Sequence, residues 1–384
     1  MNLDYTQEQR LLADAVARRM GALATPEYVR RLDREQTYPY ELYDAWVELG
    51  LFRMPLAEHL GGLGGSVLDM AIIAEELSRF SFDFFTAYGA TTFCALNVAR
   101  HGSPEQRADL LPRVFDGRVR MAVAMSEPDA GSDAGALRTS ARRDGDDWII
   151  SGQKLWCTGG GARNTLLNVY AKTDSNVAYQ QGISLFLVPN DLPGVELKKL
   201  DMLGRRSVGT YEIFFNDVRI PASSLVGALH GGWNILMSGL LYERVASSAG
   251  YCGAMQSVVD LALSYGKERK QFGRPIGGFQ AIAHMLADMQ TDVDASRLLM
   301  QRAAAKLATG ESALREVSMA KLFGSEAYAR LANQGMQILG AYGYSMEFDM
   351  QRHFRDARST TIGAGTSQMQ RNLIAGTMGL KVAI

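Results

Sequence analysis

Apolar residues recur along the first third of the chain at the three- and four-residue spacing of helices that bury one face. Thr6 and Gln9 stand three apart, as a capping box requires, and Leu12, Val16 and Met20 follow at four-residue intervals, which predicts a capped amphipathic helix. Helical patterning continues through SVLDMAIIAEELSRF, TTFCALNVAR and EQRADLLPRVF to about residue 120, interrupted by PLAEHLGGLGGS, whose glycines and proline predict a loop. From MAVAMSEPDAGSD to about Val226 the period changes. WIISGQKLWCT, TLLNVYAKT, GISLFLVPN, GVELKKL and TYEIFFNDVRI are short β-rich runs divided by Gly, Asp, Asn and Pro, and they predict a small antiparallel barrel or sandwich. Beyond GALHGGW, three long helical stretches beginning at NILMSGLLYERV, FQAIAHMLADMQ and ALREVSMAKLFG predict an antiparallel helical bundle. The expected fold is mostly α with a central β-domain, in units 1–120, 121–230 and 231–384. With no internal repeat or low-complexity linker, the three are expected to pack together.

Composition narrows the function. The 384 residues are 47% hydrophobic with a formal net charge of −1, and the basic residues are dispersed, so a nucleic-acid footprint is not expected. The opening MNLDYTQEQR lacks the basic-then-apolar order of a secretory signal and the acid-poor character of a transit peptide, and no apolar run reaches membrane-spanning length. A cytoplasmic protein with no membrane partner is expected. Cys94, Cys157 and Cys252 form no CxxC pair and the five histidines no HExxH, so buried thiols and no bound metal are expected. The Gly-rich stretches GGLGGS and GAGTSQ fail the spacing or context of a dinucleotide fingerprint, SYGKERK is not a Walker A loop, and no GxSxG elbow occurs.

Seven segments remain: PLAEHLGGLG, AMSEPDAGSD, GQKLWCTGGG, LGRRSVGTYEIFFNDVRIP, ERKQFGRPIGGFQ, QILGAYGY and IGAGTSQMQR. In this order, along nearly the whole chain, they resemble the acyl-CoA dehydrogenase family of FAD flavoproteins, and the resemblance implies that the C-terminal bundle is a four-helix bundle. Alone, AMSEPDAGSD is an ordinary turn and ERKQFG a solvated helix end. The resemblance places Met125 and Ser126 against the flavin, Ser132 near the acyl thioester, and Trp156 and Thr158 over the flavin ring. Two apart on a strand, Trp156 and Thr158 leave one face while Cys157 leaves the other. Arg269 and Gln271 suit a pyrophosphate or adenine. The resemblance sends Arg269 with Phe272 across a subunit interface to a neighbour's FAD, to which Gln280, Gln337, Gly340 and Ala341 also contribute; Ala341 replaces a usual glycine. Thr366 and Gln368 are further implied FAD contacts. A homo-oligomer, tetramer or dimer, is implied.

The family reaction removes a proton beside a thioester and passes a hydride from the next carbon to flavin N5. In much of the family the proton goes to a glutamate just before the Gly-Thr pair of the C-terminal motif, where this chain has Ala364. A methyl group accepts no proton, but the main-chain N–H there survives as a donor to the thioester oxygen. LLYERVASSAG offers Glu243 instead, and isovaleryl-CoA dehydrogenase shows the same relocation, with a Glu-Arg pair and IGAGTS. The apolar flank of Leu240, Leu241 and Val245 is expected to desolvate Glu243 and strengthen it as a base. Arg244, about 100° around the helix, need not neutralise it and is expected to face the CoA side of the cleft. Ala364 and Gly365 complete the implied substrate set.

The leading expectation is FAD-dependent dehydrogenation of a short or branched acyl-CoA, with an electron-transfer flavoprotein as acceptor. Two rivals keep the fold: oxidation of a carrier-protein-tethered acyl or aminoacyl group, or enoyl-CoA reduction. A third class, a non-catalytic flavin-binding protein, fits poorly with the neutral charge and an available Glu243.

Overall fold

A computed structural model describes residues 4–382; the outermost positions of the first and last expected units, 1–3 and 383–384, lie outside the described residues. The N-terminal part is helical, with α1 (Gln7–Leu23), α2 (Pro26–Glu35), α3 (Tyr40–Glu48), α4 (Val67–Phe80), α5 (Phe82–His101) and α6 (Pro104–Phe115). The expected capping box opens α1: Gln9 N donates to Thr6 Oγ1 at 3.2 Å, and Thr6 N donates to Gln9 Oε1 at 3.1 Å. Two amides that the helix itself leaves unpaired are thereby satisfied. Val16 and Met20 are fully buried below it. α5 is apolar nearly all round and is buried from Phe82 to Val98 except at Ala90, as a helix running through the core must be.

The chain then forms β1 (Arg120–Ala124), β2 (Ser140–Asp144), β3 (Asp147–Thr158), β4 (Thr165–Lys172), β5 (Ile183–Pro189), β6 (Val195–Leu200), β7 (Thr210–Pro221) and β8 (Leu225–Val226). These make one sheet in the order β6-β7-β3-β2-β4-β5-β8, with β1 beside β4. Pairing is antiparallel as expected, except that β1 runs parallel to β4, and β2 meets β4 in a parallel pair at Ser140 and Lys172. The β2–β3 hairpin lies between β1 and β4 in sequence and supplies the crossover length that a parallel pair needs. Strand residues divide between two cores. Ala122, Val169 and Phe186 join a cluster enclosed by the curled sheet, while their neighbours Met121, Tyr170 and Leu185 face the helical core.

The C-terminal part holds α7 (Gly232–Glu268), the hairpin β9 (Lys270–Gln271) and β10 (Arg274–Pro275), α8 (Gln280–Ala308), α9 (Leu314–Leu339), α10 (Ala341–Tyr344), α11 (Met350–Thr360) and α12 (Ser367–Thr377). α7, α8 and α9 pack against one another, and α11 and α12 both pack on α9, so the helical path after α9 is broken by loop 361–366. That break lets the backbone turn toward α7.

Polar clasps tie the parts together. Arg355 reaches both Asp33 oxygens at 3.2 and 2.6 Å and the Leu203 carbonyl at 3.1 Å. Ser207 donates to Asp83 from N and Oγ, and Arg205 N donates to Asp356. The segment between β6 and β7 is thus held by helices from both ends of the chain. α4 and α7 approach closely because position 253 is glycine: a Cβ there would lie 2.0 Å from the Glu75 carbonyl oxygen. Gly253→Ala must push the helices apart, and we expect a loss of about 1–3 kcal/mol, read as a lower Tm with the fold retained by circular dichroism.

Candidate active site

Glu243 lies in α7 where that helix, α5 and the sheet converge; burial raises the pKa of Cys94 of α5 and of Tyr170 of β4, and the Glu243 charge adds to both. Glu243 as a residue is half-buried, yet atoms crowd its carboxyl, so desolvation is the largest influence and raises its pKa above the ordinary glutamate value. The positive charges of Arg244, Arg205 and Lys321 pull the other way without prevailing. No hydrogen bond contributes. A carboxylate that is desolvated and unbonded is a stronger base than one in water. Val245 is fully buried and Leu240 and Leu241 partly so, giving the expected apolar flank.

Arg244 is 5% exposed and turned inward, with Nε donating to the Ala364 carbonyl at 3.3 Å, so it holds the protein's own main chain. Its charge is also the largest influence opposing the raised pKa of Glu243. The 100° helical offset separates the two Cβ directions but not the ends of two long side chains. Arg244 Nη1 is buried without a hydrogen-bond partner.

This bond brings together the two stretches the sequence singled out. Ala364 has φ 53° and Gly365 φ 88°, consecutive left-handed residues. The conformation at Gly365 demands glycine, and a Cβ there, 2.8 Å from Gln370 Nε2, would also displace that amide. An alanine in the left-handed region carries strain of about 1–3 kcal/mol, which the surroundings must hold. Gln370 Nε2 donates to the Gly365 carbonyl at 3.1 Å and the Ala364 carbonyl at 3.4 Å, and Thr366 Oγ1 caps α12 by accepting from Met369 N at 3.2 Å. Among the described residues the N–H groups of Ala364, Gly365 and Thr366 find no acceptor. Gln368 is exposed in the first turn of α12.

Met125 and Ser126 follow β1. Lys154, fully buried, donates to the Met125 carbonyl at 3.0 Å and to Glu127 at 2.8 Å, while Leu155 N donates to the Ser126 carbonyl at 2.8 Å. This fixes the pair beside Trp156. The strand bulges there: register shifts between Lys154 and Cys157, and Trp156 has φ 63° and is 55% exposed. Simple alternation therefore misdescribes how Trp156 comes to face outward, although Cys157 does point into the sheet core and Thr158 lies half-buried opposite Thr210. Burial pushes the Cys157 thiol up to about 12, far from a reactive thiolate. Ser132 is exposed in the loop before β2.

The other predicted residues form a separate group. Arg269 caps the far end of α7, 26 residues beyond Glu243 in sequence, or about 39 Å of helix. Its guanidinium lies 6.0 Å from the Tyr342 ring, which follows Gly340 and Ala341. Gln271, Gln280 and Gln337 are exposed nearby in sequence, and Phe272 has φ 49° and is 94% exposed. The chain therefore does not bring this hairpin to its own Glu243. Lys321, Arg205, Gln370, Lys154 and Tyr170 were missed from sequence. For Lys321 a signal existed: it shares the buried helical phase of Val317, Ala320, Gly324 and Tyr328.

Comparison with known proteins places this geometry. Residues 6–118, 122–218 and 230–379 match the N-terminal, middle and C-terminal domain models of acyl-CoA dehydrogenase. The chain belongs to the acyl-CoA dehydrogenase family. A mitochondrial 2-methylacyl-CoA dehydrogenase of Solanum tuberosum is 37% identical over 97% of this chain and 90% of its own. The structure of butyryl-CoA dehydrogenase from Megasphaera elsdenii superposes with a TM-score of 0.94 at 31% identity, covering 99% of this chain and all of that one. A prolyl acyl carrier protein oxidase superposes at 0.92 with 27% identity, covering 98% of this chain and all of that one. The protein is thus an FAD-dependent oxidoreductase acting on CH–CH bonds, and acyl-CoA and electron-transfer flavoprotein are the substrate and partner typical of its family. The exposed Trp156, held out by the strand bulge, suits the face of a flat cofactor. Among the described residues no helix is long and apolar enough to cross a membrane, and no His, Cys, Asp and Glu group could hold a metal ion.

The raised pKa of Glu243 has a stability cost with a defined sign. As pH rises past the ordinary value of 4.5, the unfolded chain ionises this group first, and folding loses stability until the folded pKa is passed. Glu243→Gln removes that loss. Its Tm is expected to match the parent near pH 4.5 and exceed it at neutral pH; an equal or lower Tm at neutral pH would contradict the assigned environment.

Proposed function

We propose that this acyl-CoA dehydrogenase oxidises a short or branched acyl-CoA thioester, with Glu243 accepting the α-proton. The observation that carries the reading is the Arg244 bond to Ala364, which joins a desolvated, unbonded carboxyl to a loop of unpaired N–H donors. The main-chain N–H of Ala364, with Gly365 beside it, hydrogen-bonds the thioester oxygen and stabilises the negative charge that grows there as the α C–H weakens. Glu243 takes the proton, for which its raised pKa suits it near neutral pH. When bound, FAD would supply the hydride acceptor for the neighbouring carbon, so that loss of the α-proton to Glu243 and of that hydride would leave a trans double bond. Ser132 lies toward the acyl thioester, and Arg244 serves it indirectly by holding the Ala364 carbonyl.

Met125, Ser126, Trp156, Thr158, Thr366 and Gln368 hold FAD within one chain. Arg269, Gln271, Phe272, Gln280, Gln337, Gly340 and Ala341, at the far end of α7, serve the FAD of a second copy, so the site is completed in a dimer or tetramer. The functional units are 1–120, 121–230 and 231–384, and the protein works in the cytoplasm. The potato relative, named for a 2-methylacyl substrate, and the butyryl enzyme support a short or branched acyl group. The carrier-protein oxidase is the less similar in sequence of the two solved structures, and we take carrier-bound substrate as the rival to exclude.

The test is anaerobic bleaching of the flavin by short straight, branched and carrier-bound acyl thioesters. Bleaching by short or branched CoA thioesters is expected; bleaching only by carrier-bound groups, or by none, overturns the reading. Glu243→Gln is expected to slow flavin reduction by about 10²–10⁴-fold while FAD and thioester binding persist.

A further inference from the structure

Lys321 occupies a core position of α9 and has no exposed surface. A fully buried lysine ordinarily sits against a carboxylate. Here Nζ instead donates to two main-chain carbonyls, Thr360 at 3.0 Å and Gly365 at 2.8 Å. Thr360 ends α11, and Gly365 precedes Thr366, the N-cap of α12, so one ammonium grips both ends of the loop between them. Burial and the neighbouring Arg244 charge push its pKa down to about 8, so keeping this group charged is costly.

The grip has a directional consequence. In a planar trans peptide the C=O of one residue and the N–H of the next point opposite ways. Arg244 and Gln370 draw the Ala364 carbonyl inward, and Lys321 and Gln370 draw in the Gly365 carbonyl. The N–H groups of Gly365 and Thr366 must then face away from these donors. Two consecutive left-handed residues do not hold such an arrangement unaided.

We propose that Lys321 is a positioning residue for the dehydrogenation: by clamping Thr360 and Gly365 it holds the loop that carries Ala364 and keeps the Gly365 and Thr366 N–H groups aimed for the thioester. This rests on the proposed role of Glu243 and the loop. The charged or titratable groups sharing the neighbourhood of Glu243 are Arg244 and Tyr251 of α7, Arg205 before β7, Cys94 of α5, Tyr170 of β4 and Lys321 of α9. Of these, Arg244, Arg205 and Lys321 favour the carboxylate form.

The test uses the FAD-loaded full chain. Lys321→Met keeps the length but removes the donors and the charge; Lys321→Arg keeps both. In Lys321→Met, amide hydrogen exchange in 361–367 is expected to quicken at least about tenfold, and flavin reduction to slow by about 10–10²-fold with KM changed less than about threefold. The acid limb of the rate profile is expected to move to higher pH. Lys321→Arg should restore the acid limb and part of the rate. Should the methionine variant not fold, Lys321→Gln is read the same way. Unchanged loop exchange, or a rate that falls only with lost FAD and no shift of the acid limb, overturns the proposal. If no thioester bleaches the parent, the reading of the reaction fails, while the loop exchange still decides whether Lys321 grips the loop.

Discussion

Burial of the Glu243 carboxyl without a hydrogen-bonding partner is the constraint on which the site depends. A carboxylate taken from water must find an ion or a donor, or else raise its pKa. Three cations lie close enough to act on it, yet two of them, Arg244 and Lys321, are committed to the carbonyls of loop 361–366. Their charge tempers Glu243 while Arg244 Nε and Lys321 Nζ donate elsewhere. The same side chains therefore set the strength of the base and the shape of the loop that faces it.

The fold is arranged around that economy of donors. α7 carries Glu243 and Arg244, α9 carries Lys321, and the break between α11 and α12 brings Ala364 back to α7. The segment before β7 adds Arg205, anchored through Asp356 and, beside Ser207, close to Asp83. Such sites store instability. Left-handed Ala364, a buried lysine with carbonyls alone as acceptors, and a carboxyl that resists ionisation each weaken the folded state. The closely packed α4–α7 contact and the Arg355 clasp on Asp33 and Leu203 compensate elsewhere.

Much of this was legible in the sequence where a local rule governs. The Thr6–Gln9 box, the change from helical to strand period and the buried stripe of α1 follow from spacing alone. The parallel pairing of β1 with β4 does not, because alternation records which face a residue takes and not the direction of its neighbour. The Trp156 bulge escaped for a related reason, since one inserted residue leaves no mark in composition. Glu243 and Ala364 could be paired only through a family resemblance; nothing local connects residues 121 apart. The Arg244 bond to Ala364 was not legible, because helical phase fixes where a side chain starts and not where it ends. Lys321 was passed over since a single lysine on a helix is normally a solvated group, and only its phase with Val317 and Tyr328 set it apart.

The central claim, that Glu243 is the proton acceptor, is tested most directly by a proton transfer that needs no oxidation. A CoA thioester whose β-position cannot release hydride, incubated with the protein in D₂O, should acquire deuterium at its α-carbon, followed by mass spectrometry. The account predicts exchange with the parent and its loss in Glu243→Gln with the ligand still bound. Exchange at the parental rate in that variant would contradict it.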